Sequence, residues 1–257
     1  MNMKTPKLTV VGAGPGDPDL ITLKAIKALK SADVILYDAL VNIELLSYAP
    51  KKSEKIFVGK RKGCYSYQQE QINELIVSRA KSNGHVVRLK GGDPFIFGRG
   101  AEEMDYAQLS DIKTDMVPGI SSFMAVPAYQ GIPLTKRNAS ESFWVITGTT
   151  KSHKLSSDVA LAAKSTATIV ILMGMGKLDE IIAVFQNENK GNTPVAIIQN
   201  GTTKNEKFGL GTVQTIGKIV KKKELSSPAI IVLGEVVNQR VKLNAISKRI
   251  KERVFVN

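Results

Sequence analysis

Residues 85–100 read His85-Val-Val-Arg-Leu-Lys-Gly-Gly-Asp-Pro-Phe-Ile-Phe-Gly-Arg-Gly100, and this stretch decides the fold. His85–Leu89 is a short, largely apolar run of strand character that stops abruptly at Gly91-Gly92-Asp93-Pro94. Two adjacent glycines, an Asp and a Pro make a sharp turn able to present several backbone groups to a ligand. Upstream, Tyr67–Ser82 carries Ile72, Leu75 and Ile76 at helical spacing and ends at Asn83-Gly84, a left-handed cap. Downstream, a helix around Ala101–Leu109 leads to a short strand ending at Val117-Pro118. Towards the N-terminus, Leu8–Val11, Val34–Tyr37 and Ile56–Val58 read as strands, with a helix placing Leu20, Leu23, Ile26 and Leu29 near one face. Strands alternating with helices predict an α/β lobe with a mostly parallel sheet and helices on both faces.

From Tyr129 to Asn138 the periodicity lapses into Gly131-Ile-Pro-Leu-Thr-Lys-Arg137. Residues 131–140 are therefore expected to link an N-terminal lobe, 1–130, to a second mixed α/β lobe, 141–257. In that lobe Phe143–Thr147, Thr168–Met173, Val195–Gln199 and Ala229–Leu233 read as strands, and Lys207–Gly211 as an added antiparallel one. Helical patterns at Ser157–Ala163, Leu178–Gln186 and Val213–Lys222 separate them. A basic amphipathic tail sets Leu243, Ile246, Ile250 and Val254 on one face; such a helix can bind membranes or nucleic acid, but the stripe is expected to pack on its own domain or on a subunit partner.

The 257 residues, 43% of them hydrophobic, suffice for a sizeable core in two lobes. One cysteine and two histidines exclude an intrachain disulfide and Cys-cluster or multi-His metal centres, so no metal is expected. No apolar run has the roughly 18–20 residues of a membrane span, and the N-terminal apolar run is too short for a signal peptide. A cytoplasmic protein without membrane association is expected. The net charge of +13 is uneven: residues 1–135 hold 17 basic and 14 acidic residues, residues 136–257 hold 19 and 9. A solvated lysine-rich surface, nucleic acid and a polyanionic small molecule all fit such a balance. Nucleic acid would bring interleaved aromatics, and the basic half offers only Trp144 and scattered Phe, which favours the small anion.

Three strand ends concentrate candidate residues, because open α/β sheets bind ligands beyond the carboxyl ends of their strands. Gly12-Ala-Gly14-Pro-Gly16-Asp17 resembles a dinucleotide fingerprint but has Asp17 at its third glycine position, which opposes a pyrophosphate; a turn with an N-capping acid explains it equally well. Asp38, directly after an apolar strand, is either a helix N-cap or a site residue. The Gly91-Gly92-Asp93 turn is the third. Lys60-Arg61-Lys62 follows strand three as a solvated cluster or a carboxylate-binding rim. His85 is expected to be structural and His153 to lie on the surface. With no nucleophile elbow, no P-loop and no Ser–His–Asp set, the chemistry is left to a carboxylate, a lysine and a bound reactive cofactor.

These motifs together resemble the tetrapyrrole (precorrin) methylase superfamily, and within it the uroporphyrinogen-III C-methyltransferases. The likeness runs from Leu8 to about Asn244, through V-G-A-G-P-G-D-P at 11–18, V-G-K-R at 58–61, R-L-K-G-G-D-P-F-I-F-G-R-G at 88–100, V-P-G-I at 117–120, G-I-P-L-T at 131–135 and N-G-T at 200–202. It implies a two-lobed homodimeric enzyme that holds S-adenosylmethionine between its lobes and methylates uroporphyrinogen III twice to precorrin-2, for sirohaem or cobalamin. Carried over by motif, Pro15, Gly91, Gly92, Asp93, Ile96, Ser121, Ser122, Met173 and Gly201 would contact the cofactor, which leaves as S-adenosylhomocysteine. Asp38 and Lys60 would transfer protons, and Arg61, Lys62 and Arg99 would bind substrate carboxylates. Ser121-Ser122 stands where many members have Thr-Ala, and Lys136 where many have His, which argues against a proton role at 136. A later precorrin methylase, a ribosomal-RNA methylase and a nicotinamide oxidoreductase are the competing readings.

Overall fold

The computed structural model describes residues 5–59 and 67–240. The chain divides into two compact units, Met1–Ser122 and Phe123–Asn257. In the first, five strands, β1 (Lys7–Gly12), β2 (Val34–Tyr37), β3 (Glu54–Phe57), β4 (His85–Lys90) and β5 (Lys113–Val117), form one sheet of order β3-β2-β4-β1-β5. Every pairing in it is parallel. Alternate side chains enter two cores, as the period of two in a strand requires. Val11, Ile35, Val87 and Leu89 pack with α1 (Leu23–Lys30) and a short 3-10 helix at Ile43–Tyr48. Leu8, Val10, Val34 and Val86 pack under α2 (Gln69–Asn83) and α3 (Gly100–Gln108) on the other face.

The first helix is shorter than its apolar spacing predicts. Thr22 accepts a hydrogen bond from the Ala25 amide (3.1 Å) and caps α1 there, so Leu20 falls in a preceding 3-10 turn. The buried stripe is then Ala25 and Leu29, and Leu23 is 78% exposed. Asp17 caps that 3-10 turn, accepting from the Asp19 amide at 2.9 Å, which accounts for the acid that spoils the dinucleotide fingerprint.

In the second unit β6 (Phe143–Thr147), β7 (Thr168–Leu172), β8 (Pro194–Gln199), β9 (Lys207–Thr212) and β10 (Ala229–Leu233) form a mixed sheet of order β6-β7-β10-β8-β9. Only β6 and β7 run parallel; β10 is antiparallel to both neighbours, and β9 to β8. One face buries Ile169, Ile171, Ile197 and Ile231 against α5 (Asp158–Lys164), α6 (Leu178–Asn187) and α7 (Ile216–Lys223). The other buries Val170, Ala196, Ile198 and Val232 against α4 (Ser122–Tyr129). Sequence periodicity misses α4, which is apolar all round and carries Pro127. Its stop is a Schellman motif: the Ile132 amide donates to Pro127 (2.9 Å) and the Gly131 amide to Ala128 (2.9 Å), with Gly131 at φ +68°. Among the described residues no helix is long and apolar enough to cross a membrane. The basic tail beyond 240 lies outside the described residues.

Candidate active site

The connection leaving β1 runs to the α1 face and the one leaving β4 runs to the α3 face, yet β1 and β4 are neighbours. Their carboxyl ends therefore form a topological switch point, where open sheets bind ligands. Three glycine turns meet there. The Ala13 amide donates to Lys90 (2.7 Å), and Gly14 and Gly92 exchange hydrogen bonds of 3.2 and 2.7 Å. A Cβ on Gly12 would lie 2.5 Å from the Gly119 Cα, and one on Gly119 only 2.3 Å from the Gly92 carbonyl oxygen. The close approach of three backbones, rather than a ligand, dictates glycine at 12 and 119.

Asp93 ties the turns together. One carboxylate oxygen accepts from the Phe95 amide at 2.8 Å and the other from the Gly119 amide at 3.0 Å. Its side chain thus shapes the turn, and what remains for a ligand is backbone. Gly92 sits at φ +68°, and a Cβ there would meet nothing nearer than Ser121 Cα and the Ser122 nitrogen, each 3.9 Å away. The structure so brings Gly92 beside Ser121 and Ser122, with Ser121 buried. Gly91 has a different reason: its Cβ would come 2.7 Å from that of Leu40.

Asp38 ends β2 and caps no helix; its carboxylate meets Arg88 Nη2 at 2.6 Å. Behind it lies a buried charge cluster that sequence reading did not identify. Arg88 Nε donates to Glu103 Oε1 (3.1 Å), which also accepts from Lys90 Nζ (2.8 Å) and Gln69 Nε2 (3.2 Å). Arg88 Nη1 reaches the Leu36 and Leu89 carbonyls at 3.4 and 3.3 Å. Glu103 is fully buried, Arg88 is 2% exposed, and the Asp38 side chain keeps 27% exposure. Burial, with Arg88 second, pushes the Lys90 ammonium below its ordinary pKa. Burial also opposes charge on Arg88, but the carboxylates of Glu103 and then Asp38 outweigh it and raise its pKa. A signal for this cluster existed: the strand period puts Arg88 and Lys90 on the Val86 side, and Gly100, Glu103 and Ala107 share the buried face of α3.

The other sequence-derived candidates divide. Pro15 lies in the β1 turn, and Ile96 in an exposed apolar stretch, Phe95-Ile-Phe97. Arg99, at φ +60° before α3, is engaged by exposed Glu102 at 3.0 and 3.1 Å. Lys60, Arg61 and Lys62 lie outside the described residues. In the second unit Met173 follows β7 at φ +55°, half exposed, its carbonyl accepting from Thr149 Oγ1 at 2.8 Å. Gly201 packs on α4, where a Cβ would come 2.3 Å from Val126 Cγ1. Lys136 Nζ donates to Gln239 Oε1. His85 links β4 to β1 through Thr9 Oγ1 (2.8 Å) and to the end of α1 through the Ser31 carbonyl (3.1 Å).

Switch-point turns lined by backbone, beside a rim carboxylate backed by a buried cation, define an α/β enzyme that takes a small molecule at its strand ends. Comparison with known proteins narrows the class. The family described as Tetrapyrrole (Corrin/Porphyrin) Methylases matches residues 7–217. A uroporphyrinogen-III C-methyltransferase of Methanocaldococcus jannaschii is 49% identical over 91% of this chain and 98% of its own length. One of Bacillus subtilis is 42% identical over 96% and 97%. A uroporphyrin-III C-methyl transferase structure from Thermus thermophilus, complexed with S-adenyl homocysteine, superposes with a TM-score of 0.78 at 36% identity, covering 90% of this chain and 99% of that one. The chain belongs to the tetrapyrrole methylases.

Proposed function

We propose that the chain transfers methyl groups from S-adenosylmethionine to two ring carbons of uroporphyrinogen III, giving precorrin-2, and that it works as a homodimer. The observation that carries this reading is the near-complete overlap, at 49% identity, with a relative bearing that activity in its name. When bound, S-adenosylmethionine supplies an electrophilic methyl group. The residues fit such a donor: Gly92 lacks a side chain where one would fill the space beside Ser121 and Ser122, and Gly91, Gly92 and the two serines offer backbone and hydroxyl groups. Pro15, Ile96, Met173 and Gly201 are proposed as further contacts, and Asp93 as the group that shapes the turn.

The pyrrole β-carbons of a reduced tetrapyrrole are electron-rich, so the protein need mainly align the reacting carbon and exclude water. Methylation leaves the attacked β-carbon quaternary and the ring cationic, and loss of a proton from the adjoining meso carbon neutralises that charge by forming a double bond between the meso carbon and the ring. Asp38, at a strand end and partly exposed, is the proposed acceptor of that proton. Lys60 is proposed to donate a proton or to hold a substrate carboxylate, and Arg61, Lys62 and Arg99 to bind others of the eight. Incubation with S-adenosylmethionine and uroporphyrinogen III, read by product mass, tests the assignment. A gain of two methyl groups is expected; tight RNA binding without tetrapyrrole methylation would overturn it. Sedimentation at working concentration tests the dimer.

A further inference from the structure

Among the described residues the strand-end turns are joined to one another by backbone hydrogen bonds and Asp93 rather than by the charge cluster beneath Asp38. Apolar residues at 88, 90 and 103 would hold α3 to the sheet as Leu8, Val10 and Val86 already do, without the cost of burying charge. What the cluster adds is a fixed cation under a rim carboxylate. Arg88 is pinned on every other side, Nε by Glu103 and Nη1 by two strand carbonyls, and its remaining corner meets Asp38 at 2.6 Å. Lys90 sits on the same oxygen of Glu103, so the charge of Glu103 is shared and that of Arg88 stays available to Asp38. Among the described residues Glu103 Oε2 has no partner at all, so its first oxygen carries the whole load of orientation.

We propose that Arg88 is a positioning residue for the methylation reaction: clamped by Glu103 and the β2 and β4 carbonyls, it holds the Asp38 carboxylate in the one orientation that takes the substrate proton. The inference rests on Asp38 being the base proposed above. It is tested by steady-state turnover of uroporphyrinogen III by Arg88→Lys, Asp38→Asn and the double variant, with S-adenosylmethionine affinity read by calorimetry and fold by circular dichroism. Lysine keeps the charge but not the fork, so kcat should fall about 10-fold or more while both KM values stay within about threefold. In the Asp38→Asn background the same replacement should cost less than about twofold, because a residue that acts through another has nothing left to act on. Should Arg88→Lys fail to fold, Glu103→Gln, which keeps the shape of the clamp, is read by the same comparison. A folded Arg88→Lys with unchanged kcat, or one losing as much in both backgrounds, overturns the proposal. Full activity of Asp38→Asn alone is a different result: it removes the base, and with it the need to position one.

Discussion

Replacing Asp38 by Asn preserves its size and its reach toward Arg88 but abolishes its capacity to accept the substrate proton. If proton loss limits turnover, kcat falls on the order of 100-fold with cofactor affinity nearly unchanged, which steady-state kinetics and calorimetry check together. Asp93 responds differently, because both of its oxygens accept backbone amides. Asp93→Ala leaves those amides without their acceptor and is expected to destabilise the first unit by roughly 2–3 kcal/mol, seen in urea unfolding, with loss of cofactor binding in the protein that remains folded. Sequence alone singled out both aspartates, since each stands where an apolar run breaks. It passed over Arg88, Lys90 and Glu103 because basic residues in a strand and an acid in a helix are ordinary surface signals; only the pairing of two faces makes them a cluster. The motif likeness pointed to Ser121 and Ser122, which no local pattern distinguishes.

The turns at the ends of β1, β4 and β5 contain glycines that look alike in sequence and are needed for different reasons. A methyl group on Gly119 would press 2.3 Å from a carbonyl oxygen and 2.7 Å from Gly12, so Gly119→Ala should cost about 1–3 kcal/mol of stability or more. Gly92→Ala meets nothing closer than 3.9 Å and faces only the conformational strain of φ +68°, about 1–2 kcal/mol. It should therefore fold and still lose S-adenosylmethionine; unchanged affinity in calorimetry would make that turn purely structural. At the other end of β4, burial lowers His85 below its ordinary 6.5, against the raising hydrogen bond to Ser31. The folded state then takes up its proton less readily than the unfolded one, so stability is complete above about pH 6.5 and declines as pH falls below it. His85→Gln should flatten the difference in urea midpoint between about pH 7.5 and 5.5. The strands were legible because β-branched runs punctuated by glycine leave little choice. The antiparallel placement of β10 and the helix α4 were not, since strand direction leaves no local trace and an apolar helix containing proline has no period to read.

The whole chain carries 36 basic against 23 acidic residues, most of the excess after residue 135. A substrate with eight carboxylates meeting such a field should be captured less well as salt rises, and its KM should increase more than that for S-adenosylmethionine. Equal responses would assign the charge to some other partner. The strand order of the second unit bears on how the protein is made. Its middle strand, β10, is the last of the five to be synthesised, whereas the first sheet is complete once β5 leaves the ribosome. In the folded sheet β10 is the strand that joins β6-β7 to β8-β9, pairing with Ile169 and Ile171 on one side and with Ile197 and Ile198 on the other. A chain released without β10 would therefore keep a native first sheet beside one parallel and one antiparallel pair with open edges, so truncation before residue 229 is expected to yield aggregation-prone protein, seen as loss of soluble product.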